Sequence, residues 1–166
     1  MNRIRNTVVM LAAAGMLSMG ATQLVQAQTT AGDSWRNGAC SNADVAGAWG
    51  WTETGTVIPS TGAVPFAFVA RYTLDADGNL SGTATGNSDG SISNVTLKGT
   101  GTVNSDCTST LTVGIYESGT LLRTATVAFV YVDNAQEGRG IVTSIVLAAG
   151  TSVPSVLTIN ARKLFH

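Results

Sequence analysis

Seven clusters of turn-forming residues divide most of this chain into eight segments of similar length. Asn, Asp, Gly, Pro and Ser dominate the clusters, because each of these residue types supports a tight turn. The cluster centres are about 15 residues apart, wider than the roughly 8–12 residues typical of immunoglobulin-like sandwiches. This spacing predicts long strands joined by hairpins in chain order. The clusters centre near residues 61, 77, 89, 105, 118, 135 and 151.

The segments between the clusters alternate apolar and polar residues, which is typical of a strand with one buried face. Leu111, Val113 and Ile115 show this pattern after the predicted turn at residues 104–106. An antiparallel sheet of eight such strands removes its exposed edges by closing on itself. We therefore predict an all-β fold, an eight-stranded antiparallel up-and-down barrel over residues 47–166, after a short N-terminal helical turn. Eight strands enclose an interior that side chains fill or that holds one small ligand.

The N-terminal segment has the layout of a secretory signal peptide. Arg3 and Arg5 precede an uncharged apolar stretch, and small residues at 25 and 27 frame a cleavage site. The stretch is shorter than the roughly 20 apolar residues that span a bilayer, which disfavours a membrane anchor. We predict a signal peptide over residues 1–27, cleavage after Ala27, and a secreted or periplasmic location.

Residues 28–46 form a polar lead-in, with one helical turn that Ser41 or Asn42 caps. Both cysteines, Cys40 and Cys107, lie in the predicted exported part of the chain. An even pair in an oxidising compartment predicts a disulfide bond between them. The alternative is two separate buried thiols.

Composition and charge exclude several classes of function. Removal of the predicted signal peptide leaves seven basic and ten acidic residues, without the basic footprint of a nucleic-acid-binding protein. Ten aromatic residues are too few for the girdles of an outer-membrane barrel, and Lys163 shares a strand face with apolar residues. His166 is the sole histidine, so neither a zinc site nor a Ser-His-Asp arrangement is expected. We predict no metal, no cofactor, no nucleic-acid partner and no membrane insertion, and we assign no catalytic residue.

One turn has the beginning of a calcium-binding loop, Asp75-Ala76-Asp77-Gly78-Asn79. An EF-hand loop that starts at Asp75 needs a glutamate at its twelfth position, and Gly86 occupies that position. An Asp-Gly pair between two apolar runs is instead a strong hairpin signal, so we predict a turn here.

Four segments match a known pattern: Gly47-Ala48-Trp49-Gly50-Trp51, Val64-Pro65-Phe66-Ala67, Asp75-Ala76-Asp77-Gly78-Asn79-Leu80-Ser81-Gly82-Thr83, and Gly99-Thr100-Gly101-Thr102-Val103-Asn104-Ser105-Asp106-Cys107-Thr108. Together they resemble a family of uncharacterised secreted bacterial proteins, over most of the chain after the signal peptide. Ser109 stands where that family has a glycine after Asp-Cys-Thr. The family is similar in fold to the small barrels of allene oxide cyclases and lipocalins. The resemblance implies a barrel with an apolar cavity but no cyclase activity, since fold alone does not carry function.

Polar and aromatic residues within the predicted strands are the candidates for ligand binding. Glu53 and Arg71 come first, because adjacent strands could pair them inside the barrel. The alternative for these two residues is an exposed cross-strand ion pair. The ligand-binding candidates are Glu53, Arg71, Tyr72, Tyr116 and Tyr131, within a wider set that includes Glu117, Arg123 and Arg139.

The segment 127–132 is apolar on both strand faces, with Phe129 and Tyr131 on one side and Val130 and Val132 on the other. A strand of this kind is expected to be covered on its outer side, by a helix, the lead-in or a second subunit, which allows a homo-oligomer.

Three functions are compatible with these predictions. The first is a secreted, non-catalytic barrel that binds a small apolar molecule. The second is an isomerase or cyclase of a small lipophilic substrate, in which one inward carboxyl group moves a proton. The third is a surface or assembly protein that uses its outer apolar faces.

Overall fold

The computed structural model describes residues 39–164. The predicted signal peptide, the first part of the lead-in and His166 lie outside the described residues. Within them, one short helix, α1 (Asn42–Val45), precedes eight strands. The strands are β1 (Gly47–Val57), β2 (Val64–Leu74), β3 (Asn79–Ser88), β4 (Ser91–Val103), β5 (Thr108–Glu117), β6 (Thr120–Val132), β7 (Glu137–Leu147) and β8 (Ser155–Lys163).

The eight strands form one closed barrel in chain order. Each strand pairs antiparallel with the next, and β1 also pairs antiparallel with β8, which closes the sheet. The predicted all-β, eight-stranded antiparallel up-and-down barrel after a short helical turn is confirmed. Each of the seven predicted turn clusters connects two consecutive strands. None of the helical residues in the described range forms a segment long and apolar enough to cross a membrane.

Local turn chemistry explains the hairpins, and the Asp75 loop shows it well. The Asp75 carboxylate accepts hydrogen bonds from the backbone N–H groups of Asp77 at 3.0 Å and Asn79 at 2.8 Å. The Asn79 side chain also donates to it, and these bonds lower the pKa of Asp75 because they favour the charged form. Gly78 has φ +87°, and a Cβ there would collide with the carbonyl oxygen of Gly101. The carboxylate oxygens of this loop therefore organise a turn.

Side chains alternate along the strands between the barrel interior and the outer surface. Trp49, Trp51 and Glu53 of β1 point inward, and so do Phe68 and Tyr72 of β2. Register shifts occur in the β5–β6 pair near Tyr116 and in the β6–β7 pair near Val127. Bulges of this kind change strand direction and allow a sheet to curve.

The helix and three hairpin loops form one end of the barrel, which we call the plugged end: α1 and residues 75–78, 104–107 and 133–136. A disulfide bond joins Cys40 to Cys107 there, with their Cα atoms 5.0 Å apart, as predicted. The indole N–H of Trp49 donates a hydrogen bond of 2.9 Å to the carbonyl oxygen of Val45, which fixes the helix over the interior. The opposite end, the open end, has the loops 58–63, 89–90, 118–119 and 148–154.

The outer side of segment 127–132 is partly open to solvent. Val130 and Val132 are 41% and 39% exposed, and Ile141 on β7 is 53% exposed. Helix α1 packs at the plugged end instead, so no described residue of this chain covers that outer face. The predicted homo-oligomer stays a prediction.

Candidate functional site

The open half of the barrel encloses a cavity of about 270 Å³. All eight strands contribute to its wall, which is mainly apolar. Gly86, Ser93 and Ala125 face this space, and their small side chains leave it unfilled. Large residues fill the other half of the barrel, so the cavity reflects a change in residue size along the barrel axis.

Aromatic rings form the floor of the cavity. The ring of Trp51 lies 5.7 Å from that of Tyr72 and 6.0 Å from that of Phe129, both in edge-on geometry. Trp49 lies below them, 5.6 Å from Tyr131, and its ring is fully buried. Such contacts add about 0.5–1.5 kcal/mol each beyond area burial. The floor is therefore a rigid layer that separates the cavity from the plugged end.

Glu53 is the one carboxyl group that points into the cavity among the described residues. Its side chain is 7% exposed, and its neighbours in the sheet are the apolar residues Phe68 and Ile159. Burial raises the pKa of Glu53 to about 7, while the positive charge of Arg123 and the indole N–H of Trp51 oppose this rise. Near neutral pH, the charged and neutral forms of Glu53 thus have similar populations.

Arg123 crosses the mouth of the cavity from β6. Its guanidinium carbon lies 5.7 Å from the ring centre of Phe66 on β2, and β2 and β6 are four strands apart in either direction around the barrel. The side chain therefore spans the lumen and places its charge above Glu53. Burial lowers the pKa of Arg123 and the charge of Glu53 raises it, but an arginine stays protonated in proteins.

Trp51 presents a second hydrogen-bond donor near Glu53. Its Nε1 is buried and has no hydrogen-bond partner among the described residues, although it lies close enough to lower the pKa of Glu53. An unpaired buried donor costs about 1–3 kcal/mol. The cavity thus combines two donors, Arg123 and Trp51, with one titrating carboxyl group.

The structure brings only some of the predicted site residues together. Glu53 lines the cavity, whereas Tyr72 belongs to its aromatic floor and Tyr131 points inward below that floor. Arg71 and Tyr116 lie on the outer surface, beside a shallow groove. The predicted roles of these residues in ligand binding stay predictions.

The expected contact between Glu53 and Arg71 does not form. In the β1–β2 register Glu53 lies opposite Phe68, and Arg71 lies opposite Gly50. Residues opposite each other in a sheet share a face, and positions two residues apart continue it. Because Arg71 is an odd number of residues from Phe68, its side chain points to the other face of the sheet.

Trp51 is not among the residues that the sequence predicts to bind a ligand, and Arg123 is named only in the wider set of polar candidates. The signal for Arg123 was its spacing, because it is in phase with Ala125, Val127 and Phe129 on the apolar face of β6. A charged residue in phase with buried positions indicates an inward charge, and such a charge is rare unless it is paired.

Comparisons with known proteins show the fold and little else. No family model and no curated protein sequence matches this chain. The solved structure of EF1p2_mFAP2b bound to DFHBI is similar with a TM-score of 0.51 and 13% identity, covering 74% of this chain and 98% of that one. A redesigned beta barrel, mFAP1, also bound to DFHBI, gives a TM-score of 0.47 and 17% identity over 74% of this chain and 97% of its own. The first likeness supports the barrel fold, and the resemblance to the secreted bacterial family stays a prediction.

Proposed function

We propose that this protein binds a small, mainly apolar molecule in the cavity at the open end of its barrel. The observation that carries the proposal is a cavity with apolar walls into which one carboxyl group, Glu53, and one guanidinium group, Arg123, point. Binding pockets typically combine apolar walls with a few polar groups that orient the ligand. Protein interiors are otherwise close-packed, because empty space lowers stability.

The volume limits the size of the molecule. A cavity of about 150 Å³ is known to bind benzene, and sites for drug-sized ligands occupy about 300–1,000 Å³. The cavity here, at about 270 Å³, therefore suits one or two small rings, or a flexible chain of comparable volume. The structure of EF1p2_mFAP2b bound to DFHBI shows that a barrel of similar fold holds a small molecule, which supports the proposal.

A specific observation also favours a second function, an isomerase or cyclase of a small lipophilic substrate. A general acid–base works best with a pKa near the operating pH, and the pKa of Glu53 is raised to about 7. In this alternative, Glu53 would accept and return a proton within the apolar cavity. Replacement of Glu53 by Gln would then abolish turnover and leave binding intact, whereas a binding protein has no turnover to lose.

We also propose that the protein acts outside the cytoplasm. The disulfide between Cys40 and Cys107 supports this location, since such bonds persist in oxidising compartments. Removal of residues 1–27 on export is part of the same proposal. N-terminal sequencing of the exported protein tests it, with Gln28 as the expected first residue.

Two alanines of β6 provide a matched test of ligand binding. Ala125 lines the cavity and Ala128 is exposed on the outer surface of the same strand. We expect toluene, indole or 1-octanol to bind the natural protein in the cavity that Trp51 lines, and isothermal calorimetry measures this binding. Ala125→Leu should weaken the binding because the larger side chain takes up part of the cavity, while Ala128→Leu should retain it. Equal binding by the two variants would contradict the proposal, and so would the failure of every small apolar probe, charged or uncharged, to bind.

A further inference from the structure

We propose that the molecule held in this cavity is a small apolar monocarboxylate, whose carboxylate pairs with Arg123 while Glu53 holds a proton. This inference rests on the proposed function and specifies the chemical class of the ligand. It comes from the supply of hydrogen-bond donors, the charges that face the cavity, and the position of Arg123 at its mouth.

The polar groups of the cavity are rich in donors. Arg123 has five N–H donors, and none of them makes a hydrogen bond within the part of the chain that the structure describes. The N–H of Trp51 approaches Glu53 but makes no well-aligned hydrogen bond there. Ligand oxygen atoms that only accept hydrogen bonds would satisfy these donors. A carboxylate fits best, because a guanidinium binds it with two parallel hydrogen bonds.

The position of Arg123 orients such a ligand. Its guanidinium lies over Phe66 near the mouth, whereas the apolar wall continues inward to Leu97 and Val113 above the Trp51 floor. A monocarboxylate would place its charge at the mouth and its hydrocarbon part in the interior. Each buried CH₂ group would strengthen binding by about fourfold.

Few other charges act on Glu53. The adjacent strands present Phe68 and Ile159 to it, and β3, β4 and β7 present no titratable side chain to the interior. The remaining inward titratable groups lie elsewhere. They are Tyr72 in the aromatic floor, and Tyr131, Asp44 and Lys163 nearer the plugged end. Glu117, at the end of β5, is exposed at the rim. Arg123 is therefore the charge that opposes the effect of burial on the pKa of Glu53.

A ligand carboxylate beside Arg123 competes with Glu53 for one positive charge. Two carboxylates that share a site cannot both remain charged, so one of them takes up a proton. Glu53 is the better candidate because burial already raises its pKa to about 7, whereas an ordinary carboxyl group has a pKa near 4. The bound state then contains Arg123 as a cation, the ligand as an anion and Glu53 as a neutral acid. When the ligand binds to a protein molecule whose Glu53 is charged, Glu53 takes up one proton from solution.

Octanoate and 1-octanol provide matched probes, because they have the same chain length and differ in charge. Calorimetric titrations between about pH 6 and pH 8.5 would measure the affinity and the proton uptake for each. We expect octanoate to bind at least ten times more tightly than 1-octanol at the low end of this range. Its affinity should fall about tenfold for each pH unit above 7, since one proton binds with it. The affinity for 1-octanol should not change with pH.

Three variants separate the roles of the residues. Glu53→Gln mimics the protonated acid and should bind octanoate with the low-pH affinity at every pH. Arg123→Gln should lose the preference for octanoate over 1-octanol. Arg162→Gln removes an exposed arginine of β8 and should behave like the natural protein.

The outcomes distinguish this inference from the function on which it rests. Binding of 1-octanol without preferential binding of octanoate overturns the inference and leaves the binding function. Binding of octanoate that is insensitive to pH, or that Arg123→Gln retains, also overturns it. If none of toluene, indole, 1-octanol and octanoate binds, both proposals fail.

Discussion

Lys163 donates a hydrogen bond of 2.8 Å from its Nζ to the backbone carbonyl oxygen of Asp44, 119 residues earlier in the chain. The same ammonium group lies 5.7 Å from the ring centre of Trp49. Burial lowers the pKa of Lys163 and the charge of Asp44 raises it. The last strand therefore holds the N-terminal helix in place at the plugged end.

We expect Lys163→Met to lower the free energy of unfolding by about 1–2 kcal/mol. It removes a charged hydrogen bond and a cation–π contact but keeps the apolar stem. Urea unfolding monitored by circular dichroism measures this change. Arg162→Met is the matched control, because Arg162 is the exposed neighbour of Lys163 on β8. Equal stabilities of the two variants would show that the contact with Asp44 contributes nothing.

The second prediction concerns pH and Glu53. Its pKa is about 7 in the folded protein and near 4.5 in an unfolded chain, so the folded state binds more protons between these values. The contribution of Glu53 to the free energy of unfolding is then largest below about pH 4.5, and it is lost as pH rises to about 7. We expect Glu53→Gln to remove this loss, so that its advantage over the natural protein grows by about 2–3 kcal/mol between about pH 5 and pH 8.

Urea unfolding of both proteins at several pH values measures this difference. Glu117→Gln serves as the control, because Glu117 is exposed at the rim of the barrel and surface substitutions change stability by about 0.5 kcal/mol or less. If the difference between natural protein and Glu53→Gln is independent of pH, the carboxyl group is not buried as described.

The third prediction concerns the disulfide bond. Cys40 and Cys107 are separated by 67 residues, and a cross-link over such a loop stabilises a fold by about 4 kcal/mol in the chain-entropy treatment. We expect the double variant Cys40→Ser, Cys107→Ser to lose most of this stability. Addition of a reductant should destabilise the natural protein and leave the double variant unaffected. A loss below about 1 kcal/mol would mean that the helix and hairpin stay together without the bond.

The fourth prediction concerns the space that glycines leave for the aromatic floor. A Cβ at Gly138 would lie 2.6 Å from the ring of Phe129, which supports Trp51. A Cβ at Gly86 would lie 3.2 Å from the ring of Phe68, next to the cavity. We expect Gly138→Ala to cost about 1–3 kcal/mol through overpacking. Gly86→Ala should cost less because its neighbours can move into the cavity, and thermal unfolding compares the two.

The sequence contained enough information for the strands and for much of the interior. The two-residue alternation identified Leu111, Val113 and Ile115 as the apolar face of β5, and all three are buried in the structure. Turn chemistry located the hairpins because it depends on local backbone preference, as the Asp75 loop illustrates. These features are short-range, so a single sequence shows them directly.

The charge that faces Glu53 could not be predicted in the same way, because it depends on contacts between distant parts of the chain. The charge nearest to it comes from Arg123, and the two residues lie 70 positions apart on strands that do not pair. Their meeting depends on the tilt of the strands, the register shifts near Tyr116 and the reach of a long side chain across the lumen. Alternation gives the face of each residue but not its height in the barrel. The cavity could therefore be expected, while its pair of opposite charges could not.

Both ends of the described chain leave the barrel on the same side. Residue 39 enters beside the disulfide, and Lys163 ends β8 beneath helix α1, so both lie at the plugged end. A carrier protein, a surface linker or an immobilisation tag attached next to residue 39 or residue 164 would therefore join the barrel from behind. The mouth with Arg123 would face away from the support and toward the surrounding medium.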